Sequence, residues 1–132
     1  MTNNILSVRS TKDLEQVAAD LETAVPNHRF GIIAKHNLTA TMAKKGVELG
    51  RECLIFEVCN PHQAKTVLEA DMEISTALPC RLSVYRDGDE TVISTIRPSA
   101  LFEFFHADGA EAAAAEVESA MEAIMSEAAG VA

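Results

Sequence analysis

No lysine or arginine follows Arg97. The rest of the chain carries Glu103, Asp108, Glu111, Glu116, Glu118, Glu122 and Glu127, which supply −7 of the net charge of −9. Neutralising phosphates requires clustered basic side chains, so an acidic chain without a basic patch is not expected to bind DNA or RNA. Anionic membrane surfaces are disfavoured for the same reason. Long apolar runs are missing too: nothing approaches the ~20 residues that span a bilayer. Met1-Thr2-Asn3-Asn4 lacks the basic opening and apolar stretch of a secretory signal. Cysteine is scarce, with three in 132 residues, and disulfide frameworks normally use an even number. A reduced, cytoplasmic protein is the expectation.

Familiar chemical signatures are also missing. There is no Gly-x-Gly-x-x-Gly, P-loop, Gly-x-Ser-x-Gly or Cys-x-x-Cys, and no pair of acids stands out for acid–base work. No internal repeat, low-complexity run or linker interrupts the chain. What remains is ordinary globular composition, 48% hydrophobic and 23% charged. The length suits one domain, residues 1–132, which can fold without a disulfide or metal.

The hydrophobic spacing predicts the order β-α-β-α-β-α-β-β-α-α. A short strand over Ile5–Arg9 leads to Ser10, read as an N-cap with Asp13 as its capping-box partner. Leu14, Val17, Ala18, Leu21 and Val25 recur at helical spacing, and Pro26-Asn27 ends that helix. A second strand is expected over 29–34. Asn37 then caps a helix running to Lys45, with Leu38 and Met42 facing inward. The clearest strand is 52–59: its period of two places Leu54, Phe56 and Val58 on one face and Cys53, Ile55, Glu57 and Cys59 on the other. Pro61 suits the first position of a helix to about residue 71. A hairpin turns at Asp87-Gly88-Asp89. A short helix from Pro98 carries Leu101, Phe102, Phe104 and Phe105, and a long helix over 111–128 buries Ala113, Val117, Ala120, Met121 and Ile124. The expected fold class is α+β, a two-layer sandwich of one mixed sheet of about five strands with helices mainly on one face.

Cys59 sits where a strand gives way to a helix. Unpaired N–H groups and the helix dipole at such a turn favour a thiolate, which would lower the Cys59 pKa, while Glu57 on the same strand face works against it. The alternative is a small buried hydrophobe. Cys80 follows Pro79 and opens a strand; it approaches Cys59 only if the two strands are neighbours. Cys59, Asn60, Cys80 and Glu57 are the candidate ligand-binding residues. Cys59 and Cys80 are also the candidate catalytic pair. His62 stands three residues after Cys59, and Cys59, His62 and Cys80 form a candidate metal set, although one Cys-x-x-His pair alone is a weak signal.

Val58-Cys59-Asn60-Pro61, Ala64, Ile74, Leu78-Pro79-Cys80, Tyr85, Asp87-Gly88 and Ile96-Arg97-Pro98 follow one another in a distinctive order. With Phe30-Gly31-Ile32 and Lys45-Gly46, this stretch resembles domain-of-unknown-function family three-hundred-and-two, clearly over residues 30–98 and more loosely at the flanks. The resemblance implies a two-layer α+β sandwich that forms homodimers, with no activity established for the family. Its signature residues here are Cys59, Asn60, Pro61, Pro79 and Cys80. Arg97 departs from the Asn or Asp more usual before Pro98, which bears only on local capping.

Three functional readings follow. The first is a dimeric binding module holding a small soft ligand (a metal ion, a haem iron or a sulfane sulfur) through the thiols. The second is a thiol-dependent redox or sulfur-transfer enzyme with Cys59 as nucleophile and Cys80 as its resolving partner. The third is a structural or interaction module in which the cysteines only pack. Relative placement and burial of the two sulfurs discriminate among them.

Overall fold

The computed structural model describes residues 3–131; residues 1, 2 and 132 of the expected 1–132 domain lie outside the described residues. The elements run β1 (Ile5–Ser10), α1 (Leu14–Asn27), β2 (Gly31–Asn37), α2 (Leu38–Lys44), β3 (Cys53–Cys59), α3 (Pro61–Ala70), a 3₁₀ turn (Met72–Ala77), β4 (Cys80–Asp87), β5 (Glu90–Ile96), α4 (Pro98–Glu103) and α5 (Ala110–Ala129). The α+β class and the order of elements are those expected.

Local chemistry accounts for most boundaries. Asn37 Oδ1 accepts from the Ala40 amide and opens α2. The β4–β5 hairpin turns through Gly88 at φ 63°, a left-handed conformation that glycine adopts without strain. The start of α1 differs from expectation. Ser10 belongs to β1 and its hydroxyl donates to the Ala129 carbonyl, while Asp13 Oδ1 accepts from the Gln16 amide and is the true cap. The Ser10 hydroxyl oxygen accepts from the Lys12 amide, so it closes the turn ahead of α1 and ties β1 to α5 without capping the helix. Strand β2 also runs later than expected, and α2 buries neither Leu38 nor Met42 fully.

The expectation of a mixed sheet is corrected: the five strands lie in the order β1-β5-β4-β3-β2 and every pairing is antiparallel. Helical segments between strands suggest parallel crossovers when read in one dimension. Here the excursion through α3 and the 3₁₀ turn leaves β3 and re-enters β4 at the same end of the sheet, because neighbouring antiparallel strands require it. Val58 consequently stands opposite Cys80.

One face of the sheet meets the helices. Phe56, Val58, Leu82, Val84 and Ile93 pack there against Val17, Leu21 and Val25 of α1 and Met121, Ile124 and Met125 of α5. Fully burying side chains of this size stabilises by about 1.5–3 kcal/mol each. A second cluster joins Val67, Ile74, Phe102, Ala110 and Ala114 where α3, α4 and the start of α5 converge. Of the aromatics on α4 and just after it, Phe102 is core but Phe104 is 79% exposed. Among the described residues, the other sheet face carries no helix and presents Ile5, Ile55, Glu57, Arg81, Tyr85 and Ile96. Among the described residues, no helix is long and apolar enough to cross a membrane.

Candidate functional site

Strand β3 delivers Cys59 to the sheet end, and Asn60 caps the helix that follows. Asn60 Oδ1 accepts from the amides of His62 (3.0 Å) and Gln63 (3.2 Å), and its carbonyl accepts from the Ala64 amide. Pro61 takes the first helical position, as its missing N–H allows. Leu78-Pro79, joined by a cis peptide, brings the chain back to Cys80 beside Val58.

Cys59 and Cys80 both border one small cavity of about 20 Å³. Its walls are almost wholly apolar: Val58 from the sheet, Val67 from α3, Phe102 from α4 and Val117 from α5. This is room for roughly one water-sized body. Gln63 stands at the same cavity, held to α5 by Glu116. All three cysteines are free thiols.

The sequence sets the helix N-terminus and Glu57 against each other at Cys59; burial is the influence that sets the direction. Burial raises the Cys59 pKa. Burial foremost, and then charge on Cys59, pushes Cys80 up to about 11, which places the two sulfurs within electrostatic reach of each other. The reason lies in the cap. The orphan N–H groups that would hold a thiolate at the start of α3 already bind Asn60, so desolvation is left as the dominant influence on the sulfur.

The candidate residues are not all gathered here. Glu57 lies on the helix-free sheet face, its carboxylate 3.2 Å from His36 Nε2 and 3.6 Å from Arg81 Nε, and is not among the cavity walls. His62 is exposed on the first turn of α3 and does not border the cavity either. Among the described residues, no group of three His, Cys, Asp or Glu side chains is placed to hold a metal. The cavity walls Phe30, Phe102 and Val117 come from three separate segments, and no spacing in the sequence connects them to Cys59.

A solved structure of an uncharacterised conserved DUF302 protein from Bacillus stearothermophilus superposes on the chain with a TM-score of 0.92 at 24% identity, covering 96% of this chain and 99% of that one. At that identity the likeness shows the fold. The search of curated proteins finds no match. The family model for the domain of unknown function DUF302 matches residues 6–128. The chain thus belongs to the DUF302 family.

Proposed function

We propose that this domain is a binding module in which Cys59 and Cys80 together capture one soft atom, a sulfane sulfur or a soft monovalent metal ion. A single observation carries the reading: both thiols border the same apolar, atom-sized cavity. An apolar wall offers water few hydrogen bonds, whereas a polarisable sulfur or metal bound to thiols needs none. A porphyrin far exceeds 20 Å³, so the haem branch of the expectation is set aside. Sulfane capture balances as RSSH + Cys59–SH giving Cys59–SSH + RSH, with the outer sulfur passing to Cys59 and the proton to the leaving thiol.

Raised thiol pKa values oppose the rival enzyme reading, which needs a thiolate ready for repeated fast turnover, whereas a single capture per chain can proceed slowly through the small thiolate fraction near neutral pH. The same burial favours one alternative, a purely structural pair. The module acts as a homodimer in the cytoplasm, where free thiols persist. In support of a dimer, Ile5 and Ile96 stand opposite each other on the helix-free face, 44% and 51% exposed.

The test is to load the reduced protein with silver(I), and separately with a hydropersulfide, and then read stoichiometry by mass spectrometry. One silver or one added sulfur per chain, lost in Cys59→Ser and Cys80→Ser, is the expected result. Unchanged uptake in both variants, or none in the parent, overturns the proposal in favour of the structural pair. Equilibrium sedimentation checks the dimer.

A further inference from the structure

A second, larger hollow lies against the same loop. Leu78, Pro79 and Cys80 border both the thiol cavity and a groove of about 200 Å³ that continues toward Arg81, Ile96 and Leu101. The groove is smaller than the pockets that take drug-sized ligands. Its one charged lining residue among those described is Arg81. The hydroxyls that border it are engaged as donors: Thr95 Oγ1 donates to the Arg81 carbonyl at 2.6 Å and Thr76 Oγ1 to the Glu73 carbonyl at 2.8 Å. The guanidinium touches Glu57 only through Nε, at 3.6 Å. Neither terminal nitrogen donates a hydrogen bond among the described residues. A planar fork with two free donors suits a carboxylate, which it can bind through both oxygens. Leu78, Pro79, Ile96 and Leu101 supply apolar surface beside it.

We infer that this groove is a binding site for a small organic monoanion, a short-chain carboxylate whose headgroup meets Arg81 and whose hydrocarbon lies between the Leu78–Pro79 loop and Leu101. The site rests on the groove's own residues and stands whether or not the thiols capture a soft atom. Glu57 competes with the ligand for Arg81, so neutralising Glu57 strengthens binding while neutralising Arg81 weakens it.

The experiment is a titration of the full chain with hexanoate, followed by amide chemical shifts, with hexylammonium as the cationic control. Saturable shifts confined to residues 76–81 and 95–101 are expected. Arg81→Gln should weaken hexanoate binding about tenfold, the scale of one lost charge-assisted hydrogen bond, and Glu57→Gln should tighten it. The Cys59→Ser/Cys80→Ser double variant should bind hexanoate as the parent does, which separates this site from the thiol pair. Each variant's own spectrum reports whether it is folded. Absent saturation, equal affinity in Arg81→Gln, or equal binding of hexylammonium overturns the assignment.

Discussion

Cys59 and Cys80 border one cavity from adjacent antiparallel strands, near enough that charge on the first raises the pKa of the second. Twenty residues of excursion separate them in sequence, and the sheet pairing closes that gap. The chemistry expected of the pair depends on their protonation, which leads to the first prediction.

Neither thiol should react as an activated nucleophile. In pH-graded alkylation read by mass spectrometry, Cys59 is expected to titrate above its ordinary value, and Cys80 higher, near 11. An apparent pKa for Cys59 well under the ordinary 9.0 would restore the nucleophile reading.

Cys80 also predicts an alkaline limb of stability. Its folded pKa of about 11 lies above its ordinary 9.0, so the unfolded chain ionises first as pH rises. The stability it contributes is complete below pH 9 and is lost as pH climbs through 11. Urea unfolding should show a decline of roughly 1–3 kcal/mol across that window, flattened in Cys80→Ala. An identical limb in the variant would contradict this account.

Removing the Asn60 cap tests why Cys59 is not a thiolate. Asn60→Ala leaves the His62 and Gln63 amides without their acceptor and should destabilise by about 1 kcal/mol. With those donors freed beside the sulfur, the Cys59 alkylation pKa should fall relative to the parent. No downward movement in a folded variant would show that the cap does not govern the thiol.

Glu118 anchors α4 to α5. Its Oε1 accepts from the Ser99 hydroxyl (2.6 Å) and amide (3.1 Å), and its Oε2 from Arg97 (3.2 Å). The Ser99 hydroxyl foremost, then the Ser99 amide and Arg97, hold its pKa below the ordinary carboxylate range despite desolvation. A depressed carboxylate contributes stability above its unfolded pKa and loses it as pH falls through the folded one. Glu118→Ala should cost about 1–2 kcal/mol near pH 7, and the gap to the parent should narrow below about pH 4. A gap that does not change with pH would mean that only packing was lost.

Truncating the sheet's central aromatic gives a scale for the core. Phe56 is wholly buried against both long helices' cluster, and Phe56→Ala should cost about 3–5 kcal/mol by denaturant titration. A loss below 1 kcal/mol would show that the site relaxes to fill the space.

Local chemistry made much of this molecule legible in one dimension. Alternation marked Phe56 and Val58 as core, Pro61 and Pro98 marked helix starts, and Asp87-Gly88-Asp89 marked the hairpin, because each signal acts within a few residues of itself. The same reading named Cys59, Asn60 and Cys80. It misplaced the α1 cap, because pairing with β5 keeps the chain extended through Ser10 and the helix opens only after Asp13. It expected a mixed sheet, because strand direction is set by which strands become neighbours and not by what lies between them. That neighbour choice brings Cys80 to the end of the sheet where Cys59 lies. The walls Phe30, Phe102 and Val117 and the partial burial of the thiols followed from packing, whereas the Asn60 cap is local, reaching only the amides two and three residues on. The sequence determined which residues carry a soft, oxidisable sulfur; tertiary structure decided that the two sulfurs share one apolar cavity that raises both their pKa values, because desolvation depends on what surrounds a group in space.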